Sequence, residues 1–166
     1  MKTRKPKAES ETVESNEFQL DEFLPYRLSV TANQISRMFA RRYADDFGLT
    51  IAEWRVLAVL GQFGTLSPTT IGELAAMDKV KVSRATAGLV AKGLVRQRPD
   101  PEDGRGRRLQ LSAKGAKIRS EIVPLARDLE TTLASSMSRV EWQALRKALT
   151  KLNEHARGMD WAEAAD

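Results

Sequence analysis

The chain has 166 residues, a formal net charge of +5, 42% hydrophobic residues and 30% charged residues. This length suits one domain with a core, and without a long apolar run the composition excludes a membrane-spanning protein. The absence of cysteine excludes disulfides and thiolate sites, and a single histidine leaves little for zinc, so we expect no metal and no cofactor. A cytoplasmic location follows as the expectation.

Residues 1–22 form the first distinct segment, with four cations in the first seven positions followed by acidic residues among Ser, Thr and Asn. This composition predicts a flexible N-terminal arm. Two interpretations of its basic start stay open, namely contact with DNA phosphates and a solvated run of charge.

Two helices are predicted after the arm. Between Leu24 and Phe47, apolar residues recur every three or four positions, which indicates one long amphipathic helix. Thr50 followed by Glu53 is a capping-box pattern that opens a second helix, which Gly64 ends. The second helix is apolar on nearly all faces, so we expect it at the centre of the fold.

A helix-turn-helix is predicted next. A second Thr-x-x-Glu pattern predicts a short helix that begins at Thr70, and Asp78 is the expected N-cap of a helix that ends at Gly93. Two short helices joined this closely form a helix-turn-helix. The apolar residues predicted to face the core from the last helix are Val82, Ala85, Leu89 and Val90. Three cations and a hydroxyl lie off this stripe, on a face that nothing apolar covers, and they suit phosphates and guanine edges: Lys79, Lys81, Ser83 and Arg84.

A basic hairpin is predicted after this helix. One strand starts at Leu94, a Pro/Asp/Gly segment interrupts it, and a second strand covers residues 107–111. Arg105 lies at the tip between two glycines, a position suited to a narrow minor groove. Nine Lys/Arg and three Asp/Glu give residues 79–108 a net charge of +6, against +5 for the chain. Charge concentrated in this way is typical of nucleic-acid binding.

Two more helices close the chain. The first begins at about Ser112 and continues its apolar stripe past Pro124, where we expect a bend and no break. Ser138 and Glu141 form a third capping box, which opens the last helix. Residues 159–166 are predicted to be a loose tail.

The run RPDPEDGRGRRLQLSAKG resembles the wing of the MarR-type winged helix-turn-helix transcriptional regulators, and the resemblance extends from about Tyr26 to His155. It implies a mainly α fold with a small β-hairpin wing, dimeric through its N- and C-terminal helices. Residues 23–48 and 112–158 would form the dimerisation helices, and residues 49–111 the DNA-binding domain. In the family an aspartate orients the tip arginine, a role that falls here to Asp103. Gly104 departs from the second arginine that many members have, so this tip has one fewer cation.

The charge pattern and the resemblance together predict a homodimeric repressor that binds double-stranded DNA at a palindromic operator. Its two recognition helices would lie about 10 base pairs apart. The residues expected to contact DNA are Thr69, Thr70, Lys79, Lys81, Ser83, Arg84, Arg96, Arg98, Asp103, Arg105, Arg107 and Arg108.

A small organic effector is the remaining kind of switch for a chain with no cysteine and one histidine. Members of the family bind effectors between the dimer helices and the DNA-binding domain, and some sense aromatic carboxylates or acyl-CoA thioesters. Residues 26–61 resemble those of hydroxycinnamate-type regulators. An arginine would pair with a carboxylate, and an aromatic side chain would pack against a ring. The candidates are Asn33, Arg37, Arg41, Tyr43, Trp54 and Arg55, although the two aromatics equally fit core positions and Arg37 and Arg41 a solvated face.

Two other functions can be compared with a DNA-binding regulator. An enzyme is disfavoured because His155 is the only histidine and the neighbouring Glu154 faces elsewhere on a helix. The alternative that stays open is a helical interaction protein whose basic hairpin binds an acidic partner without DNA sequence specificity.

Overall fold

A computed structural model describes residues 18–101 and 106–159 of the chain. These residues form a mainly helical fold with one antiparallel hairpin, as the sequence predicts. The elements are α1 (Leu24–Phe47), α2 (Ile51–Phe63), α3 (Pro68–Ala75), α4 (Lys79–Ala91), β1 (Val95–Pro99), β2 (Arg107–Leu111), α5 (Ala113–Ala134) and α6 (Arg139–Gly158). Two compact units divide after Arg37, within α1. None of the helices in these two ranges is long and apolar enough to cross a membrane.

The first unit, as far as it is described, contains the N-terminal half of α1 and the turn before it. The rings of Phe18 and Phe23 meet edge to face with their centroids 5.3 Å apart. Leu24, Tyr26 and Leu28 are all exposed by more than a third of their surface. Residues 18–37 therefore leave their apolar side chains largely uncovered within their own unit.

The core of the second unit is built around α2, which packs against α3, α4, α5 and β2. Val56, Leu57 and Leu60 are at most 2% exposed. The predicted capping box is present, because the Thr50 amide donates to the Glu53 carboxylate at 2.8 Å and the Glu53 amide donates to the Thr50 hydroxyl at 3.2 Å. The central position predicted for this helix is confirmed.

The start of α3 differs from the prediction. The Thr-x-x-Glu pattern predicts a helix beginning at Thr70, but α3 begins at Pro68 with Ser67 as its N-cap. The Ser67 hydroxyl accepts from the Thr70 amide at 3.1 Å. Proline suits the first helical position because its φ is already helical and it has no N–H to satisfy, so the Ser-Pro pair starts the helix earlier. The helix ends at Ala76 in the left-handed conformation, with φ +51°.

The helix α4 has the predicted ends but a different buried stripe. The Asp78 carboxylate accepts from the Lys81 amide at 2.8 Å, and Gly93 follows the helix with φ +70°. Val90 was predicted to face the core and is 39% exposed. Thr86 is buried instead, and its hydroxyl donates to the Val82 carbonyl at 2.8 Å, which removes the cost of burying a polar group.

The hairpin is closed at its base by several hydrogen bonds. The Ser112 amide donates to the Leu94 carbonyl at 2.9 Å, and the Ser112 hydroxyl donates to the Gly93 carbonyl at 2.7 Å. Leu66 exchanges two backbone hydrogen bonds with Leu109 of β2, at 2.8 and 3.0 Å. The hairpin is therefore attached to the segment before α3 as well as to α4 and α5.

The starts of the last two helices agree with the prediction, and the bend expected at Pro124 stays a prediction. Ser112 caps α5, which continues through Pro124 without a break. Ser138 and Glu141 form the predicted capping box of α6. No residue of α6 is buried, and Leu149 and Leu152 are 43% and 45% exposed. Its apolar stripe is thus left without cover by the described part of this one chain.

Candidate nucleic-acid interface

The helix-turn-helix consists of α3, a three-residue turn and α4, packed against each other and against α2. The Met77 amide donates to the Gly72 carbonyl at 2.9 Å across the turn. A Cβ at Gly72 would lie 2.9 Å from the Met77 carbonyl oxygen, which is too close for a real side chain. The absence of a side chain at Gly72 therefore permits the tight turn that places α4.

The exposed face of α4 follows from its buried one. Consecutive helical residues are about 100° apart, and the buried residues fall on one side: Val82, Ala85, Thr86 and Leu89. The opposite side is centred on Val80, Arg84 and Ala87, and Lys79 and Lys81 lie about 100° to either side of Val80. Val80 is 57% exposed, so an apolar side chain lies on this face beside the cations.

The cations on this face differ in whether they have an ion-pair partner. The Lys81 ammonium lies 3.1 Å from the Asp78 carboxylate, with both side chains more than half exposed. The backbone hydrogen bond and the side-chain hydrogen bond from Lys81 hold the pKa of Asp78 below its ordinary value. Within the described ranges, Lys79 and Arg84 have no ion-pair partner, so both are available for a polyanion.

A groove of about 890 Å³ runs between α3, α4 and the hairpin. Four of the predicted DNA-binding residues contribute to its walls, namely Thr69, Lys79, Ser83 and Arg107. Thr70 does not line it, and its hydroxyl lies 2.9 Å from the Ser67 hydroxyl in the first turn of α3. Besides the carboxylates of Glu73 and Asp78, its walls carry hydroxyl donors and cations, the groups that bind phosphate oxygens.

The hairpin arginines divide between its two faces. In the antiparallel register Arg96 pairs with Gln110 and Arg98 with Arg108, and side chains alternate along each strand, so these three arginines share one face. The Arg108 Nε lies 2.7 Å from the Asp100 carboxylate, and this ion pair braces the strand ends. Arg107 lies on the other face, toward the groove.

The groove side of the hairpin is ordered by a polar contact. With its amide oxygen turned toward Arg107, Gln97 accepts from that guanidinium at 2.5 and 3.0 Å. Both residues line the groove. Gln97 is not among the residues predicted from the sequence to contact DNA. In the register Gln97 lies opposite Leu109 and two residues from the Pro99–Arg107 pair, so Gln97 and Arg107 share one face of the hairpin.

The predicted wing tip, with Asp103, Gly104 and Arg105, lies outside the described residues, as does the start of the N-terminal arm. The roles of the wing tip and of the arm in DNA binding stay predictions. In the described part of the chain, no group of three or more His, Cys, Asp or Glu side chains is placed to hold a metal ion.

The predicted effector-binding residues are in different surroundings. Tyr43 is 2% exposed, with its ring stacked on Phe39 at 6.1 Å and tilted against Trp54 at 5.3 Å between centroids. Burial raises the pKa of Tyr43. Asn33 and Arg37 are exposed in the first unit, and Arg41 and Arg55 are exposed in the second. Tyr43 is thus a core side chain and Trp54 packs, partly buried, against the core, whereas the four polar residues are exposed.

The ion pair between Lys92 of the α4 C-cap and Glu53 of α2 was not predicted from the sequence. Lys92 counts among the nine cations of residues 79–108, yet its ammonium is bound by Glu53, which is 4% exposed. Together with Lys81 and Arg108, three of those cations are paired with carboxylates. The cations free to contact phosphates among the described residues are therefore fewer than the charge count indicates, namely Lys79, Arg84, Arg96, Arg98 and Arg107.

Comparisons with known proteins agree on one family. A family model described as MarR family matches residues 47–106. The multiple antibiotic resistance protein MarR of Escherichia coli is 27% identical over 134 residues, which cover 80% of this chain and 93% of that protein. A MarR family transcriptional regulator from Silicibacter pomeroyi has a similar structure, with a TM-score of 0.71 and 26% identity over 86% of this chain and 93% of its own.

A third similar structure is that of BpsR from Bordetella bronchiseptica, whose DNA binding is regulated by 6-hydroxynicotinic acid. Its TM-score is 0.73, with 23% identity over 87% of this chain and 99% of its own. At this identity the likeness concerns the fold.

Proposed function

The chain belongs to the MarR family of DNA-binding transcriptional regulators, and from this we propose that it is a homodimeric repressor of a palindromic operator. We further propose that a small aromatic carboxylate, or its CoA thioester, releases it from DNA. Regulators of this family are not enzymes. The observation that carries the proposal is the exposed face of α4, where Lys79 and Arg84 stand without ion-pair partners in the described chain.

Two kinds of DNA contact fit the groups around α4. Hydroxyls and cations that border the groove, such as Thr69 and Arg107, suit phosphate oxygens, which fix the position of a protein on the duplex. Arg84, at the centre of the exposed face, suits the bidentate acceptor edge of guanine in the major groove. Asp103 and Arg105 of the wing remain part of the proposed interface by resemblance.

A homodimer follows from the family and fits the surface of α6. We propose that α1, α5 and α6 contribute the interface, with segments 23–48 and 112–158 as the dimerisation regions. Leu149 and Leu152, both more than 40% exposed, are apolar side chains that a second copy would cover. A symmetric dimer would present two recognition helices to a palindrome with half-sites about one DNA turn apart.

The proposed effector class rests on two supports. BpsR, which shares the fold, is regulated by an aromatic carboxylic acid, 6-hydroxynicotinic acid. The exposed Arg37, Arg41 and Arg55 are cations of the type that binds carboxylates in a bidentate manner. The burial of Tyr43 makes packing its main role, so the arginines carry more of this proposal than the aromatics do.

A titration of the full chain against its own upstream intergenic DNA tests the proposal. The affinity is measured at fixed salt, with and without a panel of aromatic acids and their CoA thioesters, and against a scrambled duplex. We expect nanomolar binding that depends on a palindrome and is released by one compound. Weak binding that ignores sequence and disappears with salt would contradict the proposal and favour an interaction protein with an acidic partner.

A further inference from the structure

The exposed face of α4 carries an apolar side chain at its centre. Val80 is 57% exposed, and it lies in the first turn of the helix, nearly opposite the buried stripe. Its neighbours on this face are Ser83 and Arg84, one turn further along, and then Ala87. A β-branched residue has a lower helix propensity than lysine or alanine, so neither packing against the described residues nor helix formation accounts for valine at this position.

DNA offers one apolar group in the major groove, the C5-methyl of thymine, which distinguishes a T·A pair from the other pairs. Residues in the N-terminal turns of a recognition helix reach the base edges. We propose that Val80 contacts the C5-methyl group of one thymine in each operator half-site, close to the base pair that Arg84 contacts. The inference rests on the DNA-binding function proposed above and assigns part of its sequence specificity.

The other residues of α4 fit this role less well. Lys79 and Lys81 project about 100° to either side of Val80, toward the two strands of a groove, and as cations they suit phosphates. Val90 is the matching apolar residue at the far end, 39% exposed, about 15 Å further along the helix axis and on a different side. Val80 alone combines a branched apolar side chain, high exposure and an N-terminal position on this helix.

Deoxyuridine in place of thymine removes the methyl group and leaves every hydrogen-bonding group of the base pair intact. Once a high-affinity operator has been selected from random duplexes, each thymine is replaced in turn, symmetrically in both half-sites. The dissociation constant is measured at fixed salt for the unmodified protein, for Val80→Ala and for the matched control Val90→Ala.

We expect the unmodified protein to lose roughly fourfold in affinity per half-site at one particular thymine, the change that one buried methyl group produces. Val80→Ala is expected to bind thymine and deoxyuridine equally at that position. Val90→Ala should keep the full preference. Circular dichroism of both variants checks that the helices are intact, which the exposure of both positions leads us to expect.

Two results would overturn the assignment of Val80 and leave the proposed function standing. One is specific binding in which no thymine responds to loss of its methyl group, and the other is a thymine preference that Val80→Ala retains in full. Failure of the unmodified protein to select any sequence would overturn the proposed function and this inference together.

Discussion

The Lys92 ammonium lies 2.7 and 2.8 Å from the two carboxylate oxygens of Glu53 and 2.8 Å from the carbonyl oxygen of Gly48. This contact joins the C-terminal end of α4 to the N-terminal end of α2. The same carboxylate accepts from the Thr50 amide, so one side chain both caps α2 and anchors α4. A Cβ at Gly88 would lie only 2.5 Å from the Glu53 carboxylate, so the close approach requires glycine there. The recognition helix is thus fixed at the end that faces away from the proposed base contacts.

Replacing Lys92 by methionine should destabilise the fold. The Glu53 carboxylate, 4% exposed, would lose its cation while staying buried. We expect a loss of about 1–2 kcal/mol, less than for a fully buried pair because the Lys92 side chain is 39% exposed. Urea denaturation at neutral pH measures this change.

The control for Lys92→Met is the exposed ion pair between Arg42 and Asp46, 2.8 Å apart. Asp46→Asn should change the free energy of unfolding by at most about 0.5 kcal/mol. An equal effect of the two substitutions would contradict the anchoring role of Lys92.

Alanine at Gly115 should be strongly destabilising. Its Cβ would overlap the carbonyl oxygen of Leu94, which cannot move freely because it accepts from the Ser112 amide. We expect a loss of about 2–3 kcal/mol in the free energy of unfolding, the usual effect of overpacking a rigid site. Gly158→Ala, where a Cβ meets nothing within 4 Å, is the matched control and should cost nothing. A mild effect at Gly115 would mean that α5 and the hairpin base shift easily.

The N-cap of α4 should make stability depend on pH. The pKa of Asp78 is lowered in the folded protein, so its ionised form stabilises α4 above the unfolded pKa, and this contribution is lost as the pH falls through the folded pKa. The difference in Tm between the unmodified protein and Asp78→Ala should therefore stay constant down to about pH 5 and shrink below about pH 4. Asp78→Asn retains a capping oxygen but has no charge, so at neutral pH its Tm should lie between those of Asp78→Ala and the unmodified protein. A difference that does not vary with pH would show that the charge of Asp78 contributes nothing.

Lys79 and Arg84 should affect DNA binding in different ways. Lys79→Gln should weaken binding to all sequences alike and reduce the slope of log affinity against log salt by about 2 for a dimer, one phosphate per subunit. Arg84→Ala should relax the preference at one base pair per half-site, at a cost of about 1–3 kcal/mol each. Titrations of operator and scrambled DNA at several salt concentrations separate the two, with Lys147→Gln on α6 as a charge control. Equal losses on both DNAs for Arg84→Ala would make it a phosphate contact.

The apolar stripe of α6 should be needed for self-association. Leu152→Glu places a charge on the exposed apolar side of this helix, and we expect it to shift the protein from dimer to monomer. Lys147→Glu, on the opposite side of the same helix by the 100° spacing, should leave the dimer intact. Sedimentation velocity distinguishes the two states. A dimer that survives Leu152→Glu would remove this part of α6 from the proposed interface.

Local signals in the sequence predicted most of the helices. Thr50, Asp78 and Ser138 were recognisable as caps because a capping hydrogen bond spans only three residues. At α3 two local signals competed, and the Ser67–Pro68 pair prevailed over the pattern starting at Thr70.

Contacts between residues far apart in the sequence could not be predicted from such local signals. Lys92 pairs with a carboxylate 39 residues earlier, and neither the residues around Lys92 nor those around Glu53 indicate this contact. The charge count therefore included Lys92 among the cations available to DNA. Likewise, periodicity placed Val90 in the core, whereas the packing of α4 buries Thr86 and leaves Val90 exposed. Periodicity indicates that a helix has a buried side, but its neighbours decide the exact direction of that side.

The closed base of the hairpin makes the wing a separable insertion. Because Leu94 and Ser112 are joined by a backbone hydrogen bond, α4 and α5 meet at the same point whatever the length of chain between them. Residues can be added to or removed from the tip in pairs without altering the strand register near the base or the position of the recognition helix. Within a lineage of such proteins, wing length and tip composition can therefore diverge to follow changes in operator shape while the rest of the fold remains unaltered.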